Sequence, residues 1–288
     1  MFSEFKKSKD FLKRQMQDTG KFRENTKDQF YTNPLIAGKY VSVLREFVKG
    51  KEAIWVEPSA GSGSFIKHLE KEEWIGVDID PKFEGVIQAD FLKWEFPVEK
   101  YKDRYNVLFG NPPFGRQSSI AKSFIKKGQT FADTIGFILP LSFTKPSMYG
   151  VFNKYFHLVY NEVLPENSFI LNDKPYDVKC VFQVWTKKDT ERPKVIEEKP
   201  SYYSYTKTQE ECDFIVRRVG VYAGKTHTNG DDIFKTQSHY FIKLDEDSKH
   251  LLPSILEKVN PNLFPTNTTG PRSISKPELN HILNKLRY

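Results

Sequence analysis

Two cysteines, Cys180 and Cys212, are all that the chain carries, and they form no CxxC pair. A disulfide framework or a structural zinc site is therefore not expected. The six histidines are scattered, with no HExxH or similar pairing, so no metal is called for. Long hydrophobic runs are missing as well. No apolar stretch reaches membrane-spanning length, and the charged N-terminus lacks a signal-peptide core. Internal repeats are absent. These gaps argue against a secreted disulfide scaffold, a membrane protein and a solenoid, and make a reducing, cytoplasm-like compartment the default.

What is present fits an ordinary globular protein. A length of 288 residues suits one α/β domain plus a smaller appendage and is too little for two large domains. Aromatics reach 15%, enough both to pack a core and to offer flat faces for stacking. The formal net charge of +7 favours a polyanionic partner, although charge speaks to association rather than fold. Lys6 to Lys27 mixes both signs and reads as a solvated helix face.

Residues 3–28 space Phe5, Phe11, Leu12 and Met16 as a helix would, and Asn33-Pro34 opens a second helix through Tyr40, Val41 and Leu44. Five short apolar runs follow, at 53–56, 74–77, 85–88, 105–109 and 135–139, with helix resuming at 65–69. Each run ends in a polar cluster. Apolar strands alternating with helices predict an α/β fold with a doubly wound, mostly parallel sheet. Such a sheet binds its ligand outside the carboxyl ends of its strands, where every one of those clusters falls. Val178 to Thr186 predicts a further strand at the far side of the sheet, and 187–200 reads as a linker. Beyond it, strands at 214–219 and 239–244 and a helix at 277–286 predict a small α+β extension. The expected divisions are an N-terminal helical segment at 1–30, a catalytic domain at 31–190 and a C-terminal domain at 191–288.

The first cluster, Glu57-Pro58-Ser59-Ala60-Gly61-Ser62-Gly63-Ser64-Phe65, lacks the third glycine of a pyrophosphate cradle. Its leading carboxylate suits an ammonium group better than a phosphate. Asp78, closing the second strand, can accept from ribose hydroxyls, whereas Asp80 before Pro81 fits a helix N-cap. Asp90-Phe91, closing the third, can meet an adenine by its amino group and its face. The fourth cluster, Asn111-Pro112-Pro113-Phe114, is the most specific. The Asn111 side-chain oxygen and the Pro112 carbonyl can accept the two N–H bonds of an exocyclic amine and free its lone pair. The prolines keep both acceptors aimed, and Phe114 can stack on the base.

Taken together, these motifs resemble those of the amino-methyltransferase superfamily of the N6-adenine type, with a Rossmann-like class I methyltransferase fold. The resemblance covers roughly Lys27 to Thr186. It implies S-adenosyl-L-methionine as cofactor, held by Glu57, Ser59, Ala60, Gly61, Gly63, Asp78, Ile79, Asp90 and Phe91. Tyr31 and Thr32, within Lys27-Asp28-Gln29-Phe30-Tyr31-Thr32-Asn33-Pro34, resemble the residues lying over the methionine part. Asn111, Pro112, Pro113 and Phe114 resemble the catalytic turn, and Phe182 resembles an aromatic that holds the flipped base, though VFQVW also reads as a buried strand. The implied partner is DNA, slightly ahead of RNA, with no membrane or metal. The chain is expected to act as a monomer with room for a partner subunit, in the cytoplasm or at the nucleoid. Arg217, Arg218, Lys225, Lys235 and Arg272 are candidates to meet phosphates or are plain solvated surface. Two further readings stay open: a protein-glutamine methyltransferase, which usually has Tyr in place of Phe114, and a non-catalytic nucleic-acid-binding subunit, which would usually have lost the glycine loop or the catalytic turn.

Overall fold

The computed structural model of the chain describes residues 31–171, 173–194, 196–230, 232–266 and 272–287; the helix expected over 3–28 lies outside them. The chain divides into two units that meet between Pro193 and Lys194.

In the first unit, β1 (Tyr31–Thr32) leads into helix α1 (Pro34–Val48). Asn33 caps the helix by accepting the Leu35 N–H at 3.0 Å, and Pro34 fills the first turn, where no N–H is needed. Ala37, Tyr40, Val41, Leu44 and Val48 recur at helical spacing and are buried. The seven-stranded sheet contains β2 (Ala53–Glu57), β3 (Glu73–Asp78), β4 (Ile87–Gln88), β5 (Tyr105–Gly110), β6 (Thr134–Pro140), β7 (Phe156–Val163) and β10 (Cys180–Lys187). Their order is β4-β3-β2-β5-β6-β10-β7. Neighbours from β4 to β6 pair parallel, and β10 runs antiparallel to both β6 and β7. This is the Rossmann-like class I methyltransferase fold. Gly136 in β6 admits helix α1: a Cβ there would sit 2.5 Å from Leu44 Cδ2.

Several expectations need correction. The helix expected at 65–69 is one 3₁₀ turn, Ile66–His68. No helix follows β3, so Asp80 is not an N-cap; it pairs with Lys82 Nζ at 2.8 Å. The run at 85–88 is not a buried strand, because β4 is a two-residue edge with Ile87 exposed. The strand expected at Val178 to Thr186 is β10, Cys180–Lys187, and it is enclosed by β6 and β7 rather than at the sheet edge. Helix α2 (Ser119–Gly128) follows β5, and a hairpin of β8 (Phe169–Leu171) and β9 (Lys174–Tyr176) adds β1 to make a second, three-stranded sheet.

The second unit has an antiparallel sheet ordered β11-β14-β12-β13, from β11 (Tyr203–Tyr205), β12 (Phe214–Arg217), β13 (Thr226–Thr228) and β14 (His239–Leu244). Phe214, Val216, Tyr240, Ile242 and Leu244 form a core with Ile255 of α3 (Leu252–Lys258) and Leu279 and Leu283 of α4 (Lys276–Lys285). A capping box between Ser275 and Glu278 starts α4. No helix of the described residues is long and apolar enough to cross a membrane.

Candidate active site

From β2 the chain moves out to β3 and β4, then returns across the sheet to β5 and β6. That reversal opens a crevice beyond the carboxyl ends of β2 and β5. A cavity of about 410 Å³ lies there, lined by the tips of β2, β3 and β5, the 89–92 segment, β1 and α2. Its wall includes Tyr31, Thr32, Glu57, Ser59, Ala60, Gly61, Asp78, Ile79, Asp90, Phe91, Asn111, Pro112, Pro113 and Phe114. Of the residues expected to hold the cofactor, the catalytic turn or the base, two are not on it, Gly63 and Phe182.

The glycine loop and the prolyl turn are tied directly: Ser59 Oγ donates to the Asn111 carbonyl at 3.0 Å. Gly61 is in the left-handed region, φ 48°, and a Cβ there would lie 3.4 Å from the Tyr31 ring. Its N–H donates to Asp78 Oδ2 at 2.7 Å, while the Asp80 N–H donates to Asp78 Oδ1 at 2.8 Å. Each Asp78 oxygen keeps a second lone pair for a ligand. Gly63 works locally instead, since a Cβ there would stand 2.4 Å from the Phe83 ring.

Tyr31 and Thr32 reach the cavity because β1 pairs with β8, Thr32 opposite Phe169, and the Asn33 N–H donates to the Ser168 carbonyl at 2.9 Å. Thr32 Oγ1 is buried without a partner. So is Glu57 Oε2, on a residue only 2% exposed. Burial pushes the Glu57 carboxyl well above the usual carboxylate range; an Ile66 N–H opposes this, and the Asp78 charge adds to it. Two buried, unmatched oxygens on one cavity wall are costly unless a ligand meets them.

The remaining wall is apolar. Phe91 is buried against Phe124, with ring centroids 5.0 Å apart, while Ile79, Leu92 and Ile120 are exposed into solvent or the cavity. Asp90 Oδ1 accepts the Leu92 N–H at 3.0 Å. The Phe114 carbonyl accepts the N–H groups of Ile120 and Ala121 at 3.1 and 3.3 Å, which anchors the prolyl turn to the start of α2. Gln117 and Ser118 follow with φ of 53° and 60°, a conformation costing roughly 1–2 kcal/mol per non-glycine residue. Strain of this kind persists where the surroundings over-determine the chain, often beside functional groups.

Phe182 as a base-holding residue is corrected. It is 0% exposed, and its ring stacks on Tyr40 at 4.1 Å and 17°, leaving no face for a base. The sequence reading missed Ile120 and Phe124 on α2 and Leu92. The i, i+4 spacing of Ile120 and Phe124 directly after the prolyl turn was the available signal.

No family model matches the chain, and no curated protein does. Among solved structures, it is similar to a protein of Listeria monocytogenes described as a class I S-adenosylmethionine-dependent methyltransferase: 17% identity over 60% of this chain and 65% of that one, TM-score 0.44. It is similar to a Pyrococcus horikoshii protein described as an RNA methyltransferase, at 17% identity over 57% of this chain and 90% of that one, TM-score 0.43. It also resembles a protein of Vibrio vulnificus YJ016 described as a modification subunit of a type I restriction enzyme, at 14% identity over 97% of this chain and 65% of that one, TM-score 0.41. The chain thus spans just under two thirds of the Listeria and Vibrio proteins. At these identities and scores the likenesses do not bear on activity.

Proposed function

We propose that the chain is an S-adenosylmethionine-dependent methyltransferase acting on the exocyclic N6 amine of adenine in nucleic acid, with DNA slightly favoured over RNA. One observation carries the reading: the glycine loop after β2 and the Asn-Pro-Pro-Phe turn after β5 are joined by the Ser59–Asn111 contact on the wall of one cavity.

The residues fit the cofactor on the evidence of their unmatched groups. Glu57, buried with a free Oε2, suits the ammonium of the methionine part, which would hold its carboxyl ionised. Thr32 Oγ1 offers a second polar contact. Asp78 retains acceptor capacity for ribose hydroxyls, and Ile79, Phe91 and Asp90 suit an adenine. When bound, the cofactor supplies an electrophilic methyl group on a sulfonium.

The chain's own work is orientation and electrostatics. Asn111 Oδ1 and the Pro112 carbonyl accept the two N–H bonds of the amine, which draws the nitrogen towards a tetrahedral geometry and frees its lone pair. Pro112 and Pro113 hold both acceptors in place. Phe114, fixed through its carbonyl to α2, stacks on the base. No strong base is required before attack. The slight preference for DNA rests on Tyr31-Thr32 preceding the glycine loop in sequence.

Incubation with methyl-labelled cofactor and a panel of DNA and RNA, followed by nucleoside mass spectrometry, tests the proposal. N6-methyladenine in DNA is the expected product. Label in RNA alone would move the substrate to RNA. Label in neither nucleic acid, or on a base position other than adenine N6, would overturn the proposal.

A further inference from the structure

The sheet of the second unit has two unlike faces. One is covered by α3 and α4. The opposite face carries a small apolar cluster of Cys212, Ile215 and Phe241, all three buried with Phe234 packed against them, and exposed cations lie at its rim. Arg217 stands opposite His239 on β14, and Ile215 stands opposite both Phe241 and His227. Lys225, whose carbonyl accepts the Arg217 N–H at 2.9 Å, extends the cross-strand row. Lys243 shares the face with Phe241 by strand alternation and is exposed.

Among the described residues, no carboxylate forms an ion pair with Arg217, Lys225 or Lys243. The nearby acids are engaged or outnumbered: Asp213 Oδ2 accepts the Leu244 N–H at 2.7 Å, Glu246 pairs with Lys249 at 2.8 Å, and Asp232 lies beside His227. Burial comes first in holding both histidines down, and neighbouring positive charges add to it. His227 is held below its usual range, first by burial and then by Lys225 and Arg217, with Asp232 opposing. His239 is held down by burial, with His227 and Arg217 adding to the effect and a bond to the Lys235 backbone opposing it.

The connection from β12 to β13 adds an aromatic element. Tyr222 is 60% exposed and Val221 59%, and the Arg217 guanidinium lies 5.9 Å from the Tyr222 ring centroid. An exposed aromatic beside exposed cations forms a surface on which a base stacks while phosphates are neutralised. Arg217 spends its Nε–H on the Val219 carbonyl at 3.1 Å, and two other candidate cations are likewise used within the unit. Arg272 donates to the Pro261 and Phe264 carbonyls, and Arg218 lies over the Tyr240 ring at 5.0 Å.

We infer that the exposed rim of this face binds the phosphate backbone of nucleic acid through Lys225 and Lys243, beside Arg217, with Tyr222 stacking on an unpaired base. The inference rests on nucleic acid being the substrate class of the proposed enzyme, and it gives that substrate a second contact surface outside the cavity.

The test uses the full chain without cofactor and a fluorescent DNA of ~20 nucleotides, single-stranded and duplex, titrated by anisotropy between about 50 and about 200 mM salt. Lys225→Glu and Lys243→Glu are each expected to weaken binding about tenfold and to lower the log–log salt slope by about 1. Tyr222→Ala is expected to weaken single-strand binding about tenfold, and duplex binding less. Lys258→Glu, an equal charge change on α3, should alter affinity by no more than about twofold if location rather than net charge matters. Wild-type affinity in both lysine variants, with melting temperatures unchanged, overturns the inference. So does an equal loss in Lys258→Glu, or lysine-dependent binding to phosphatidylserine vesicles with none to DNA. Methyl transfer is measured separately. Its absence alongside Lys225-dependent DNA binding sinks the enzyme proposal and leaves this one standing; the reverse pattern sinks this one alone.

Discussion

The first unit sets two unmatched oxygens on the wall of one cavity, and the second sets exposed cations around a sheet face. Glu57 Oε2 and Thr32 Oγ1 are buried on the wall of one cavity. Lys225 and Lys243 stand exposed at the rim of a sheet face whose centre, Ile215 and Phe241, is buried. The difference follows from the two kinds of sheet. Neighbouring parallel strands end on the same edge, so their polar loops converge there. Antiparallel strands alternate residues between two faces, and the cations fall at the rim of the face that the helices do not cover. The first geometry suits a small ligand enclosed at a point, and the second an extended polyanion.

The contrast can be tested from several sides. The largest effect should come from the core. Phe182→Ala removes a fully buried ring stacked on Tyr40 and should cost about 3–5 kcal/mol of stability in denaturant titration, with substrate KM little changed. A large KM effect at small stability cost would return Phe182 to the substrate site.

Next is Asn111→Ala. Loss of one acceptor for the amine should depress kcat by on the order of 10² to 10³ while calorimetric cofactor affinity stays within about twofold. Turnover like that of wild type would remove Asn111 from the mechanism.

Glu57→Gln should weaken cofactor binding about 30-fold, as when one partner of a buried charge pair is lost. Its pH signature runs in a defined direction. A carboxyl raised in the folded state stabilises the protein below its unfolded value, and that contribution is lost as pH rises through the raised value. The cofactor-free glutamine variant should therefore melt higher than wild type at alkaline pH, and the difference should vanish towards about pH 4. Cofactor affinity of the wild type should rise with pH over the same window, because binding a cation ionises Glu57. A pH-independent affinity would mean that Glu57 does not face the ammonium.

The smallest effect belongs to the second unit. Arg272→Ala removes donors to two carbonyls and should cost about 1–3 kcal/mol of stability with nucleic-acid affinity unchanged. A matching loss of DNA binding would extend the cationic face to Arg272.

Much of the first unit was legible in advance. Strands β2, β3, β5, β6 and β10 were marked by continuous apolar runs, because a strand buried on both faces needs them. Asn33-Pro34 announced helix α1 through local capping chemistry that needs no tertiary partner. The failures have physical reasons too. Strand β7, an edge strand, buries only Phe156 fully along its length, so no apolar run marks it. The β8–β9 hairpin is short, and its pairing with β1 is a long-range event. Phe182 was judged by resemblance and Asp80 by local capping chemistry, and in both cases the surroundings decided otherwise.

By itself, the sequence determined which residues close each parallel strand, and therefore which chemistry gathers at the sheet's carboxyl edge. Those choices depend on side chains adjacent along the chain. Only the tertiary structure decided that β8 carries Tyr31 and Thr32 to that edge, that Tyr40 covers Phe182, and that Arg217, Lys225 and His239 meet on one face. Each of these is a pairing between residues far apart in sequence, set by strand register and burial rather than by any local pattern.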